Sequence, residues 1–240
     1  MPAGSRRSLL HRVGRFVKRL FIVLFAAQLV YIVILKWVPP PTTLTMLQNR
    51  ITAWRDSQPF RYQWVSYDRI SPYAKLAVMA GEDQLFPDHN GFDFKSIEKA
   101  WKHNQRSRHI RGASTISQQV ARNVFLWQGR NWLRKGLEVY FTFMIEKIWG
   151  KKRILEMYLN VAQMGPHLFG VEAAAEAYFH KHASQLNREE AAMIAAVLPN
   201  PNIYLVKPPS RFTLWRQQYL LQQMRNLEGD ADIEALIMKK

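Results

Sequence analysis

Apolar residues recur at intervals of three and four along most of the chain, a spacing that predicts amphipathic α-helices. The stretch from Thr42 to Arg55 follows this pattern, whereas the aromatic-rich stretch from Phe60 to Ile70 fits either a short strand over 62–67 or a loop. Gly and Pro residues separate the later helical segments. The pattern predicts these helices over residues 72–80, 94–106, 115–126, 132–149, 151–160, 170–179, 188–198 and 212–225.

One apolar stretch is long enough to cross a membrane. Leu20 to Val38 contains only two strongly polar residues, Gln28 and Lys36, and would be about 28 Å long as a helix. A cleaved signal peptide would have a shorter apolar region followed by small residues, but Trp37 and three prolines follow here. We therefore predict an uncleaved anchor over 20–38.

The residues before this stretch predict its orientation. Residues 1–19 contain six Lys or Arg residues and no acid. They should therefore stay in the cytoplasm, which leaves residues 39–240 outside it. A basic arm that binds nucleic acid is the alternative, but such an arm would not need a long apolar run. The predicted organisation is an arm (1–19), the anchor (20–38), a membrane-proximal linker and helix (39–59), one domain (60–228) and a weakly held tail (229–240).

Composition adds two constraints. The net charge of +16 indicates an anionic partner, such as nucleic acid, an anionic membrane, or a phosphorylated or acidic substrate. The chain has no Cys, which excludes disulfides and thiolate metal sites but fits any compartment.

Four carboxylates and one imidazole cluster between Gly81 and Phe94. Glu82 follows the predicted helix 72–80 directly, so it should lie against apolar neighbours, where the pKa of a carboxyl group rises and suits general acid or base catalysis. A surface turn of solvated acids is about equally compatible with this stretch alone. The cluster consists of Glu82, Asp83, Asp88, His89 and Asp93.

A basic and amide-rich segment follows the carboxylate cluster. Nine Lys or Arg residues and no acid lie between Lys99 and Lys135, which predicts an anion-binding wall rather than only a solvated face. Ser114 is predicted to cap the helix 115–126. On that helix two polar columns would offer donors to sugar hydroxyls and phosphate oxygens, and they consist of Gln118, Gln119, Arg122 and Asn123.

A second charged group lies on the predicted helix 132–149. Arg134, Lys135 and Glu138 are three and four residues apart, so they share one side of the helix. From their spacing alone we predict an exposed ion pair that contributes about 0–1 kcal/mol.

Taken together, ordered motifs over roughly residues 60–205 resemble the penicillin-binding-protein type of glycosyltransferase, family 51, which polymerises peptidoglycan from lipid II. The short chain and single anchor resemble its monofunctional members. The motifs are Glu82-Asp83-x-x-Phe86-x-x-His89-x-Gly91, Gly112-x-Ser114-Thr115-Ile116-Ser117-Gln118-Gln119-x-x-Arg122-Asn123, Arg134-Lys135-x-x-Glu138, and Arg153-Ile154-Leu155-Glu156-x-Tyr158-Leu159-Asn160.

The resemblance implies a mainly α, lysozyme-like glycosyltransferase domain with a membrane-facing hydrophobic subdomain, plus one N-terminal transmembrane helix. It implies an inverting transfer in which Glu82 is the general base and Glu138 a second catalytic carboxylate or a metal partner. No cofactor is expected to be obligatory, although a divalent metal (Mg or Mn) at the pyrophosphate is compatible with this chemistry. Implied substrate or pyrophosphate ligands are Lys99, Ser114, Gln118, Gln119, Arg122, Asn123, Arg134 and Lys135, and implied cleft-shaping residues are Asp83, Phe86, His89, Gly91, Arg153 and Asn160.

Three positions depart from the family pattern. Arg122 stands where Lys is common and Lys99 where Arg is common, so both positions keep their positive charge. Ala113 replaces a common Gly. The sequence Ser96-Ile97-Glu98-Lys99 matches S-x-x-K by accident, because no K-T-G or S-D-N motif follows and the chain is too short for a transpeptidase domain.

The resemblance also implies partners and a location. These are lipid II and a lipid-linked glycan chain, membrane lipids, and proteins of cell division or cell-wall synthesis, at the bacterial inner membrane with the domain in the periplasm and no nucleic acid. One alternative is a lytic muramidase of the same fold class, against which the basic wall argues because a glycan strand carries no pyrophosphate. The other is a non-enzymatic scaffold for acidic polymers, which would need the charge but not the motif order.

Overall fold

The computed structural model describes residues 3–107, 112–129 and 131–238, and these are mainly helical, as predicted. The chain forms two compact units, Met1–Val38 and Pro39–Lys240. The helices are α1 (Ala3–Ile34), α2 (Leu44–Arg55), α3 (Pro72–Glu82), α4 (Phe94–Arg106), α5 (Ile116–Phe125), α6 (Trp132–Ile148), α7 (Lys151–Val161), α8 (Val171–Phe179), α9 (Arg188–Val197), α10 (Arg211–Leu227) and α11 (Ala231–Ile237), and the strands are β1 (Arg61–Tyr62), β2 (Gln163–Gly165) and β3 (Leu168–Phe169).

The first unit is built on α1, whose part from His11 to Ile34 is long and apolar enough to cross a bilayer. The helix ends four residues before the predicted end of the span at Val38. Turns at residues 35–37 separate the helix from three prolines at 39–41, which could not continue it because proline lacks the backbone N–H and disfavours helical geometry in the residue before it. A single helix of this kind is compatible with a single-pass membrane anchor.

The second unit is organised around two groups of helices. In one group α3 packs against α9 and α10, and in the other α5 packs against α6 and α7. A small sheet of order β1-β3-β2 lies in the same unit, with β1 parallel and β2 antiparallel to β3. The predicted strand over 62–67 is therefore reduced to Arg61–Tyr62, and a 3-10 helix follows at Tyr67–Arg69.

Helix α3 forms for the reasons that the sequence suggests. The Ser71 side chain accepts a hydrogen bond from the Tyr73 backbone N–H, and Pro72 occupies the first turn, where its missing N–H costs nothing. Residues 74–80 are all buried. The helix passes through Gly81 and ends at Glu82, so Glu82 sits at the end of a buried helix as predicted.

The cap of α5 differs from the prediction by one residue. Thr115, and not Ser114, is the N-cap, because its hydroxyl accepts the Gln118 backbone N–H while the Gln118 side chain accepts the Thr115 backbone N–H. This reciprocal pair is a capping box, which satisfies two backbone donors that the helix itself leaves unpaired.

The predicted weakly held tail is also corrected. Residues 231–237 form α11, which packs against α3. Ile233 on this helix is only 2% exposed to solvent. The Tyr67 hydroxyl donates to the Leu236 carbonyl, and the fully buried Lys75 donates to the Ile237 carbonyl at 3.5 Å. The C-terminal segment is thus fastened to the domain by both apolar burial and hydrogen bonds.

Candidate active site

Glu82 lies where three helices meet. It ends α3, and only 14% of its side chain is exposed. Gln119 of α5 donates a hydrogen bond from Nε2 to Glu82 Oε2 at 2.8 Å, and Nη2 of Arg216 from α10 lies 3.6 Å from Glu82 Oε1. The carboxylate therefore has one neutral donor and one cation beside it, and its geometry depends on α3, α5 and α10 together.

Burial raises the pKa of Glu82 above its ordinary value, and it is the largest influence on this group. The hydrogen bond from Gln119 and the positive charges of Arg216 and Arg122 oppose the rise, whereas the negative charge of Asp83 adds to it. A carboxylate with a raised pKa is a stronger base once it is ionised, so Glu82 is suited to accept a proton from a substrate hydroxyl.

Two residues at this carboxylate were missed by the sequence analysis. The Tyr158 hydroxyl donates to Gln119 Oε1 at 3.4 Å, which orients the amide that holds Glu82. Arg216 also donates from Nη2 to the Gly81 carbonyl at 3.4 Å, across 135 residues of sequence. Tyr158 lies within a motif already recognised, but Arg216 gave no signal because it belongs to an ordinary amphipathic helix.

The predicted cleft-shaping residues Asp83 and His89 connect the end of α3 to the start of α5. The Asp83 carboxylate accepts the Ile116 backbone N–H and the His89 Nε2, each at 3.0 Å. Phe86 is fully buried with its ring edge-on to His89. Gly91 has a φ of +88°, and an added Cβ would lie 2.7 Å from Thr142 Cγ2, so both conformation and space require glycine there.

A buried ion pair supports the same loop and was not predicted. Lys151 Nζ donates to Glu146 Oε1 at 2.7 Å and also to the His89 carbonyl, and the Ser117 hydroxyl donates to the same Glu146 oxygen. His89 and Ser117 are far from Glu146 and Lys151 in sequence. Glu146 and Lys151 are five residues apart and lie on different helices, so their spacing carries no local signal. This network fixes the loop of His89 against α5 and α6.

A polar cavity of about 620 Å³ lies beside Gln119. Two of its walls come from α5 and α6 and include the half-buried Arg122 and Asn123 and the largely buried Arg134. Another wall is the polar side of α2, a helix that the sequence predicts only as part of the membrane-proximal linker. The α2 residues that line the cavity are Thr45, Gln48, Asn49 and Thr52.

Glu138 is placed differently from the prediction of an exposed ion pair. Its side chain is only 1% exposed. Arg134 Nη1 donates to Oε2 at 2.9 Å, and Lys135 Nζ donates to Oε1, so both carboxylate oxygens have a cationic partner. In the described part of the chain, no contact joins Glu138 to Glu82. Glu138 instead holds Arg134 in the cavity wall, where the buried Arg134 Nε has no hydrogen-bond partner among the described residues.

Among the described residues, the remaining predicted ones have no hydrogen bond or ion pair with Glu82, and several of them act in the framework. Lys99 is exposed on α4, Ser114 is half-buried before the cap, and Gln118 is used in the capping box. Arg153 donates to Glu156 Oε2 at 2.6 Å, and the fully buried Asn160 bonds both backbone groups of Val65. Of the nine cations in the basic run, Arg108, Arg111 and Arg130 lie outside the described residues.

The geometry thus defines a class of site: a buried carboxylate able to act as general base, next to a polar cavity walled by arginines and amides. Residues 48–225 match the family model described as transglycosylase. The chain is 51% identical over 231 residues to a protein named biosynthetic peptidoglycan transglycosylase from Shigella boydii serotype 4 (strain Sb227), covering 94% of this chain and 95% of that protein.

A protein of the same name from Escherichia coli (strain K12 / DH10B) is also 51% identical, with the same coverage of both chains. The family model covers well over half of the chain, and the similarity to these relatives runs along nearly all of it. The chain therefore belongs to the transglycosylase family.

Proposed function

We propose that this protein is a peptidoglycan glycosyltransferase that elongates glycan strands from lipid II by inverting transfer, with release of undecaprenyl pyrophosphate. The observation that carries the proposal is the buried Glu82 carboxylate, held by Gln119 and Arg216 next to a cavity walled by Arg122 and Arg134. The family and the names of its relatives supply the substrate class.

In the proposed reaction Glu82 removes the proton from the 4-hydroxyl of the acceptor sugar. The hydroxyl oxygen forms a bond to C1 of the lipid-linked sugar, the bond from C1 to the pyrophosphate oxygen breaks, and its electron pair leaves with the pyrophosphate. Gln119 orients the carboxylate, and the positive charge of Arg216 opposes the rise of its pKa, which favours the ionised form that accepts the proton.

The cations of the cavity wall are proposed to stabilise the leaving pyrophosphate. Negative charge develops on that group as the glycosidic bond breaks, and fixed positive charges stabilise it best when they are already in place. Arg122 and Arg134 line the cavity and are assigned this role, with Lys135 and Lys99 as supporting charges. Glu138 contributes by positioning Arg134.

The amide residues receive unequal support as substrate ligands. Gln119 and Asn123 line the cavity, so their side chains are available to sugar hydroxyls. The carboxamide oxygen of Gln118 accepts the Thr115 backbone N–H in the cap of α5, and Ser114 precedes that cap. Both residues are therefore proposed to act mainly by shaping the cleft.

A divalent metal at Glu138 does not fit the residues present. Both carboxylate oxygens of Glu138 accept from cationic side chains, so a metal ion would be a third cation and would have to displace Lys135 while lying next to Arg134. We therefore assign charge stabilisation at the pyrophosphate to the arginines of the wall rather than to a metal.

We further propose that the chain is anchored in the bacterial inner membrane, with its domain in the periplasm. In addition to α1, two helices of the domain expose apolar stripes, one formed by Leu44, Leu47, Ile51 and Trp54 on α2 and one by Phe94, Ile97 and Trp101 on α4. Such stripes suit a surface next to lipid. On this proposal the anionic partners of a chain with a net charge of +16 are the phosphates of lipids and of the pyrophosphate, rather than nucleic acid.

The orientation has a direct test. Protease added to spheroplasts should digest residues 39–240 and spare the N-terminal arm, whereas full protection of the domain would contradict the proposed topology. Proteins of cell division or cell-wall synthesis are proposed as neighbours at this location, and crosslinking in intact cells would identify them.

The activity is tested with the full-length protein in detergent. Labelled lipid II should be converted into glycan polymer, and purified glycan strands should remain uncut. Release of fragments from the strands without polymer from lipid II would overturn the proposal and support the lytic alternative.

A further inference from the structure

Helix α10 and the loop before it expose a continuous row of aromatic rings, which we call the aromatic ladder: Tyr204, Phe212, Trp215 and Tyr219. Successive ring centroids are 4.3, 5.8 and 6.0 Å apart, and two of the three pairs are stacked. Trp215 is 61% exposed and Tyr219 is 44% exposed, so the ladder is not part of the core. A contiguous exposed patch of this kind indicates a binding surface.

The ladder runs beside the catalytic carboxylate. Arg216, whose guanidinium lies 3.6 Å from Glu82, follows Phe212 by four residues and precedes Tyr219 by three. Residues three and four apart are neighbours on one face of a helix, so Phe212 and Tyr219 are surface neighbours of the arginine that contacts Glu82.

The other end of the ladder follows the polar cavity along the chain. Pro201 and Asn202 line the cavity, and Tyr204 comes three and two residues after them, respectively. The ladder is therefore close in sequence to residues at both parts of the proposed active site, Arg216 at the carboxylate and Asn202 at the cavity.

The chemistry around the ladder favours a saccharide. The flat C–H faces of a pyranose ring pack on the electron-rich face of an aromatic ring, while the hydroxyls at the edge of the sugar need hydrogen-bond partners. One turn beyond Tyr219, Gln223 accepts a hydrogen bond from Gln84 at 3.1 Å, which places two amide side chains at the end of the row.

We propose that the aromatic ladder is a saccharide-binding platform. It holds the glycan strand while Glu82 removes the proton from the acceptor sugar that is joined to that strand. This inference rests on the proposed function, because it takes the glycan strand as the occupant. Each ring would contribute stacking, and the row would keep the strand bound between successive additions.

The first experiment measures strand binding without turnover. Full-length Glu82→Gln protein in detergent is titrated with soluble, uncrosslinked glycan strands, alone and with Trp215→Ala and Tyr219→Ala added. The added substitutions should weaken strand affinity by roughly tenfold, since two stacking contacts are lost. Trp54→Ala, which removes a tryptophan that is 83% exposed on α2, should leave the affinity unchanged.

The second experiment separates elongation from chemistry. With Glu82 intact, the variant that combines Trp215→Ala and Tyr219→Ala should still join lipid II molecules but should release shorter strands than the wild type. Trp215→Phe in place of Trp215→Ala should restore strand length. Wild-type strand affinity and strand length in the double variant would overturn the ladder assignment, as would a loss of liposome binding with strand affinity intact. Failure of the unmodified protein to polymerise lipid II would instead contradict the proposed function.

Discussion

Glu82 and Glu138 are two largely buried glutamates on helices. The family resemblance implies a general base at Glu82 and a second catalytic carboxylate or a metal partner at Glu138, yet their surroundings differ. Glu82 has a neutral amide at 2.8 Å and an arginine at 3.6 Å, whereas Glu138 is in direct contact with two cations. Both oxygens of Glu138 are engaged by cations, so this carboxylate positions its partners. Glu82 has a hydrogen bond on Oε2 only, and Arg216 lies 3.6 Å from Oε1, beyond hydrogen-bond distance, so Oε1 is available for chemistry. The difference separates a proton acceptor from a support for the cationic wall.

The largest effect is expected at Glu82. Glu82→Gln should lower the rate of lipid II polymerisation by about 10²–10⁴-fold, because it removes the general base while keeping the shape and the amide contact. Polymerisation rate and thermal unfolding are measured together, with Glu189→Gln on the exposed start of α9 as the matched control. A Glu82→Gln protein that retains more than about a tenth of the wild-type rate would show that Glu82 is not the base.

The cationic wall is tested next, at Arg122. Arg122→Ala should lower kcat by about 10²-fold, the scale of losing one stabilising donor, while stability stays within about 0.5 kcal/mol. Arg122→Lys should retain much of the rate because the charge survives and only the forked hydrogen bonding is lost. Wild-type kcat in Arg122→Ala would move the leaving-group role to Arg134 or Lys99.

Glu138 should show the opposite balance between activity and stability. Glu138→Gln leaves the buried Arg134 without its charged partner, so we expect a loss of about 3–5 kcal/mol in the free energy of unfolding. Glu82→Gln should not reduce stability, since burial already disfavours the ionised form of that carboxyl group.

Denaturant unfolding of both variants provides this comparison, and Glu98→Gln, in an exposed pair with Lys102, is the control that should unfold like the wild type. Full stability of Glu138→Gln together with lost activity would return Glu138 to the role of a catalytic residue.

The smallest effect is a shift in pH dependence at Arg216. The positive charge of Arg216 lowers the pKa of Glu82, so Arg216→Ala should raise that pKa and move the acid limb of kcat/KM to higher pH. Arg216→Lys should restore most of the position of the limb. An unchanged pH profile in Arg216→Ala would mean that Arg216 acts on α10 packing alone, and thermal unfolding would then show the loss.

Much of this protein is determined by local sequence. The helices α3, α4 and α6–α10 lie within about two residues of the predicted boundaries, because caps, glycines and apolar spacing act over a few residues. The apolar pattern of residues 72–80 was enough to place Glu82 at the end of a buried helix, and the order of the motifs was enough to recognise the family.

The tertiary structure decided the rest, and it did so through contacts between distant segments. Arg216 reaches Glu82 only because α10 packs against α3, and α11 is held by Tyr67 and Lys75 rather than by its own sequence. The burial of Glu138 likewise depends on the packing of α5 against α6. Local patterns encode which face of a helix is apolar, but the partner of a polar side chain is set by the packing of whole elements, which no short window of sequence contains.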